Sequence, residues 1–551
     1  MDGFGIALLV PLLSGFNSDS NVFLDLPGAL NFLNIEMPSQ FLLFLVLTLF
    51  LVKAIGKFFF GFFKSRVFKT LFINLKKSFL ASIVDLKYTK FSDRNAGEII
   101  NMNTDHIHKT ILSFNAFLLS ISFVVMGLSY FVLSSIMSLR PTVTLMVLGA
   151  VFVLFFKTIN QYVKAKSIEN EKYHNYSAKL FSDLLGSFEY FKATFQFPKI
   201  QKRYLKGIHQ IGNIQKQINQ AESISESTKE LFALLIVLSI FWIEIEIFNQ
   251  SISKTILVVL LLYRGVSNFM NVQGYWQLVV NNLGFIKSLD SELRNMASAS
   301  SERSNVYRKE KKSSKFVFQA KEIQFRYSNS KANVLQQINF TIERNKITAI
   351  TGKSGEGKST LLKILLGLLH PQKGELYFFG ENANQKRPKI GYIAQNAKLF
   401  DDTIKNNLTL WEDGFSNEQI EKALKKSSLW DFVSALENKM QTIVGDNGVR
   451  LSGGQKQKIL IARELLKEPD ILILDEATSS IDTTSEQNIL NQIVLDKIKL
   501  TVILISHRES SIKFADNIYV LKNGRMTGPK TFEEAKYDQY SPFLSKTKQT
   551  I

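Results

Sequence analysis

From Thr110 to Leu139 the chain runs for 30 residues without one charged side chain. A helix of about 20 apolar residues crosses the hydrocarbon of a bilayer, and in that setting only a helix or a closed barrel satisfies its own backbone. Four more runs are strongly apolar: Gln40 to Phe63, which holds Lys53 and Lys57, and the uncharged Pro141 to Phe156, Leu231 to Ile243, and Ile256 to Tyr263. Gln40–Phe63 and Thr110–Leu139 are long enough alone, and the other three need their flanks. Five such runs in succession predict membrane helices rather than buried helices of a soluble protein. The opening run "MDGFGIALLVPLLSGF" is short for a span and lacks the basic lead-in of a signal peptide. Counted as a short first helix, it brings the expected number to six and places both termini on the cytoplasmic side.

Loop charges orient the spans. Ser14 to Ser39 has no Lys or Arg, but holds Asp19, Asp25 and Glu36. Lys53 to Lys109 carries eleven basic residues against four acids, and Lys157 to Lys229 twelve against six. Basic loops are retained in the cytoplasm, so both long stretches are expected inside. They account for much of the +19 formal charge without a nucleic-acid partner. The chain has no cysteine, which excludes disulfides and thiolate metal sites. Ser65–Lys109 and Lys164–Glu230 contain no proline except Pro198. As helices they extend tens of ångströms beyond the bilayer, at about 1.5 Å per residue. In the first, Asn95-Ala96-Gly97 permits a turn and a short crossing helix.

Residues 1–292 are therefore read as the membrane domain. The polar, Ser-rich stretch 293–315 reads as a linker. From Phe316 short β-branched strands alternate with helical patterns, so 316–551 is read as an α/β domain.

That domain carries the chemistry. "ITAITGKSGEGKSTLLKILLG", Ile347 to Gly367, is a strand, a glycine-rich turn and a helix. Gly352, Lys353, Ser354, Gly355, Glu356, Gly357, Lys358 and Ser359 match GxxxxGK[ST]. The glycines let backbone N–H groups turn toward phosphate oxygens, Lys358 reaches the terminal phosphates, and the helix start adds its dipole. The Ser359 hydroxyl is a ligand for Mg²⁺, and Thr360 follows it. A second apolar strand, "DILILDEATSS", ends in Asp475, which holds Mg²⁺ through water, and Glu476, which polarises an attacking water. "LSGGQKQK" sets Ser452, Gly453, Gly454 and Gln455 at another helix start, an anion nest almost a hundred residues after the first. One nucleotide does not need two phosphate nests from one chain. The simplest use of the second is the nucleotide of a second chain.

With these motifs in order, the chain resembles an ATP-binding cassette exporter of the half-transporter type: an all-α six-helix membrane domain ahead of an α/β P-loop ATPase. The resemblance rests further on "GYIAQN" with Gln395, "TIVGDNGVRLSGGQ", "ILILDEATSSID" ending at Asp482, "LISHR" with His507, "FRYSNS" with Tyr327, and "FSDRNAGEIINMNTDHI" as a first coupling loop. Ser480-Ile481 departs from the more usual Ala-Leu. The resemblance implies that Glu476 is the base, His507 contacts the γ-phosphate, Tyr327 stacks on adenine, and Gln395 senses Mg²⁺. It implies that Ser452, Gly453, Gly454, Gln455 and Asp482 act on ATP in trans. ATP and Mg²⁺ are the expected cofactors. A homodimer in a bacterial inner membrane is expected, with its ATPase domain cytoplasmic; a heterodimer with a related half-transporter is the alternative. Membrane lipids are expected neighbours. Cargo is expected among lipids, lipid-linked glycans and peptides, with Asn115, Glu244, Glu246 and Arg264 as candidate polar groups in the membrane half. Two readings compete: a membrane protein gated by ATP without pumping, and a soluble cassette ATPase of DNA maintenance, which shares the signature motif but needs a long coiled coil in place of the membrane spans.

Overall fold

The computed structural model describes residues 22–23, 36–37, 39–250, 252–298, 307–309, 315–327, 330, 332–379, 389–477, 480–495 and 500–535. The opening run read as a first helix lies outside these residues. The chain divides into two compact units, residues 1–301 and 302–551.

The first unit is helical: α1 (Ser39–Val84), α2 (Ala96–Asn101), α3 (Ile107–Met137), α4 (Leu139–Gly186), α5 (Phe197–Trp242), α6 (Ile252–Asn281) and α7 (Leu283–Ser298). The 48 residues of α4 give a rod of about 72 Å, more than twice the hydrocarbon thickness. Among the described residues, Ala96–Ile136 and Leu139–Gly186 are long and apolar enough to cross a membrane. Burial along α4 is inverted relative to a water-soluble helix. Val143, Val147, Val151 and Leu154 are exposed, while Thr142 is buried with Leu145 and Phe156. Exposed aliphatic surface of this extent suits lipid. Small residues let α3 and α6 approach closely. A Cβ on Gly127 would stand 2.7 Å from the Phe269 ring. Phe123 and Tyr275 stack with centroids 5.5 Å apart.

Beyond the apolar runs the buried stripe turns polar. His106, Ser167, Asn170 and Glu171 are buried, and the Asn101 amide donates to Asn175 Oδ1 at 2.7 Å. A π-helical turn, Met102–His106, joins α2 to α3. At the expected break, the Asn95 side chain caps α2 by accepting from Gly97 N at 2.8 Å. Arg94 closes this corner with Glu292 at 2.6 Å. Helix α7 continues through Ser298, past the start of the expected linker, because Leu289, Leu293 and Met296 keep an apolar face against Phe79 and Ile107.

The second unit holds two sheets. The strands are β1 (Tyr307–Lys309), β2 (Phe316–Phe325), β3 (Leu335–Glu343), β4 (Ile347–Thr351), β5 (Lys373–Phe378), β6 (Ile390–Ile393), β7 (Ile471–Asp475), β8 (Thr501–Ile505), β9 (Asn517–Lys522) and β10 (Arg525–Lys530). One sheet has the order β10-β9-β4-β8-β7-β6, the other β1-β5-β2-β3. The first is parallel except for β10. Its central strands β4 and β8 are buried at every residue, as strands covered on both faces must be. The longer helices of the unit include α8 (Lys358–Leu365), α9 (Ile404–Thr409), α10 (Asn417–Lys426), α11 (Gly453–Leu466) and α12 (Thr483–Leu495). In register, Ile505 of β8 lies beside Asp475 of β7 and Ile350 of β4. The carboxyl ends of three parallel strands therefore share one edge, where α/β sheets bind ligands.

Candidate nucleotide site

The loop between β4 and α8 is built by its glycines. Gly352 has φ +150°, and a Cβ there would stand 2.3 Å from the Leu521 carbonyl oxygen. Gly357, the residue before α8, has φ +103° and abuts Leu335 and Val334. Only glycine takes both the conformation and the approach without strain. Lys358 folds back over the loop and donates to the carbonyls of Gly352 at 2.8 Å and Lys353 at 2.9 Å. Burial pulls its ammonium below the usual lysine range, against the charges of Glu476, Glu356 and Asp475. The Glu356 carboxylate accepts from the Asn523 N–H, tying the loop to the β9–β10 turn. Thr360 Oγ1 lies 3.1 Å from the Tyr327 hydroxyl.

The tip of β7 faces this loop. Burial raises the Asp475 carboxyl above the usual range, and the neighbouring Glu476 charge adds to it. Glu476 takes φ +50°, a left-handed conformation that costs a non-glycine residue of order 1–3 kcal/mol. Its backbone N–H donates to Ile505 O at 3.0 Å, which holds the turn. Two side chains then flank its carboxylate. The Gln395 amide donates to Oε2 at 2.6 Å, and His507 Nδ1 stands 3.3 Å from Oε1. Gln395 follows β6 and His507 follows β8, so three strand ends converge on one carboxylate.

Ser452, Gly453, Gly454 and Gln455 form the start of α11. Ser452 Oγ accepts from Gln455 N at 3.2 Å and Gln455 Oε1 accepts from Ser452 N at 2.9 Å, a reciprocal cap. This motif is held against residues 480–485 rather than the P-loop. Gln457 Oε1 accepts from Ser480 N at 3.0 Å, and Lys458 Nζ donates to Ser485 Oγ at 2.8 Å. Asp482 accepts from Ser485 N at 2.8 Å at the start of α12, and that N–H holds its carboxyl below the usual range. The sequence-expected residues thus fall into two groups. Tyr327, the P-loop, Gln395, Asp475, Glu476 and His507 meet on one edge; Ser452–Gln455 and Asp482 form a second, separately braced face.

Some supporting residues carry no motif signal. Arg463 is buried in α11 and donates to Asn407 O at 2.6 Å and Oδ1 at 3.0 Å. Asn407 in turn holds both backbone polar groups of Phe400, each at 2.9 Å. The only sequence clue was an arginine inside the apolar run "ILIARELL". In the membrane half, Glu244 is buried within a π-helical turn, Ile243–Ile247, with Oε1 lacking a partner, while Glu246 and Arg264 are exposed. Asn115 Oδ1 is likewise buried without a partner.

A family model described as ABC transporter matches residues 335–479. The heterocyst differentiation ATP-binding protein HepA of Nostoc sp. is 26% identical over 497 residues, covering 88% of this chain and 80% of that protein. The ATP-dependent lipid A-core flippase of Pectobacterium atrosepticum is 39% identical over 214 residues, 37% of this chain and 36% of the flippase. The solved structure of a bacterial Atm1-family ABC exporter with ATP bound superposes with a TM-score of 0.83 at 20% identity, over 99% of this chain and 97% of that one.

Proposed function

We propose that this chain is an ABC exporter or flippase driven by hydrolysis of ATP on the edge formed by β4, β7 and β8. One observation carries the reading: the Glu476 carboxylate, at a strained strand end beside the P-loop, is flanked by Gln395 and His507. Such a carboxylate is positioned to accept a proton from water in line with a phosphate held by the loop. Lys358 would neutralise the terminal phosphates, His507 would contact the γ-phosphate, and Tyr327 would stack on adenine.

The donor set also fits a hard divalent cation. The Ser359 hydroxyl, the Gln395 amide oxygen and the Asp475 carboxylate are all oxygen ligands. Burial, and next to it the neighbouring Glu476 charge, raise the cost of ionising Asp475, a cost that a bound cation would offset. Magnesium there would supply charge neutralisation at the β- and γ-phosphates, with Asp475 acting through water.

Two chains would complete each site. Ser452–Gln455 and Asp482 sit on a face braced separately from the P-loop, which suits them to a nucleotide held by a second copy. A homodimer then has two complete sites, since the motifs of both faces are intact. The membrane half would lie in a bacterial inner membrane with the ATPase unit in the cytoplasm. Cargo would be a lipid, a lipid-linked glycan or a peptide.

The test is purified protein in liposomes, assayed for ATP hydrolysis and for ATP-dependent movement of labelled lipids, glycolipids and peptides. Hydrolysis that none of these stimulates, with none of them moved, would refute the exporter reading and favour ATP gating.

A further inference from the structure

A cavity of about 830 Å³ opens between α3, α4, α5 and α6, within the size range of small-molecule sites. Its lining changes character along α4. One part is apolar, walled by Phe131, Leu145, Phe152, Val266 and Phe269. The other begins at Lys157 and holds Asn160, Gln161, Lys164, Gln273 and Trp276. Lys157, Gln161 and Lys164 follow one another by four and three residues, so they share a face of the helix. Where the lining changes, the Asn160 and Gln273 amides exchange two hydrogen bonds, each 3.3 Å, which tie α4 to α6.

Charge decides the ligand. Among the described residues of the lining, the two lysines are the only charged side chains. Among the described residues neither lysine is in an ion pair. The acids of the adjoining helix are engaged elsewhere: Glu226 with Lys229 at 2.6 Å and Glu222 with Asn281 at 3.1 Å. An apolar chamber with two uncompensated cations at one end attracts an anion with a tail and repels a cation with one. We propose that this cavity binds the cargo, an amphiphile with an apolar tail and an anionic, phosphate-like head. The tail lies along Phe131, Phe152 and Phe269, and Lys157 and Lys164 hold the head. Calling the bound molecule cargo rests on the exporter reading; the binding itself does not.

Binding is therefore read without ATP, by quenching of Trp276 fluorescence in the full-length protein. The probes are two single-chain lipids with the same spin-labelled tail, one with a phosphate head and one with a phosphocholine head. Subtracting the signal of a Trp276→Phe variant isolates the site. The phosphate lipid should quench at a concentration at least tenfold lower than the choline lipid, and inorganic phosphate should not displace it. The doubly substituted Lys157→Gln, Lys164→Gln chain should bind both lipids alike, and the corresponding double arginine variant should keep the preference. Equal binding of the two lipids to the wild-type chain overturns the proposal, whether or not a variant folds. So does a preference that survives the glutamine substitutions, or displacement by phosphate alone. If the phosphate lipid binds here but ATP does not move it or any other cargo, the exporter reading falls and the site stands. If ATP moves another cargo and the phosphate lipid does not bind, the site falls and the exporter reading stands.

Discussion

Replacing Glu476 by glutamine isolates its basicity from everything else it does. The φ of +50° at this position costs glutamine about what it costs glutamate, so the strand end is expected to keep its shape. The flanking contacts also survive. A glutamine amide presents one oxygen and one NH₂ group: the oxygen can accept from Gln395, now at 2.6 Å, and the NH₂ can face His507 Nδ1, now at 3.3 Å. What is lost is a proton acceptor. A positioned base contributes ~10²–10⁴ in rate, or about 2.7–5.4 kcal/mol at 1.36 kcal/mol per tenfold. Phosphate release at saturating Mg-ATP should fall by that factor in the Glu476→Gln chain. Equilibrium binding of a fluorescent ATP analogue should stay within about twofold, because Lys358 and the loop are untouched. A rate loss smaller than about threefold would mean that another group takes the proton. Loss of binding along with rate would mean that the Gln395–Glu476–His507 cluster holds the loop together rather than performing chemistry.

Tyr327→Ala should raise the apparent KM for ATP with little change in kcat, since an aromatic stack is worth ~1–3 kcal/mol; an unchanged KM would remove Tyr327 from the site. Asp475 titrates above the usual range because of burial, so its ionised form is a cost to the fold at neutral pH that disappears on acidification. Magnesium needs that ionised form, so apparent Mg²⁺ affinity should weaken on acidification at a higher pH than an ordinary carboxylate would give, and a pH-independent Mg²⁺ titration would contradict the assignment. Tagged heterodimers test the shared site. Lys358→Ala on one chain with Ser452→Arg on the other leaves one intact site and should retain more ATPase activity than both changes on a single chain, which damage every site; the opposite order would rule out sites built from two chains.

The ATPase half was legible because its chemistry is local in sequence. A strand, three glycines and Lys358 are enough to state a phosphate cradle, since backbone N–H groups do the binding and glycine permits the turn. Asp475-Glu476 was legible for the same reason, as the end of an apolar strand. What joins these motifs is not local. Gln395 and His507 each reach Glu476 from another strand, and only the sheet order sets those strand ends side by side. The brace from Arg463 to Asn407 spans 56 positions, and a single arginine in an apolar helix does not announce its partner.

The membrane half inverts the problem. Lipid removes the usual link between hydrophobicity and burial, so Val147 and Phe131 look alike in sequence, although one is exposed and the other lines a cavity. Periodicity therefore says that α4 is a helix, not which face it buries. Lys157 and Lys164 show the consequence. In the chain they count toward a basic stretch, and that count orients the spans without distinguishing one lysine from another. Twelve basic residues serve the orientation, and any of them could be replaced by another nearby. Two of them line a chamber otherwise free of charge, where position matters as much as sign. A topology argument sums charge over a loop, whereas recognition depends on which side chains share a wall. Exchanging Lys157 or Lys164 for a lysine one position along α4 would leave the sum unchanged but rotate the charge by about 100° around the helix axis, at 3.6 residues per turn. At Lys164 that rotation carries it out of the lining, which holds neither Val163 nor Ala165, and so composition can place this protein in a membrane but cannot say what it holds there.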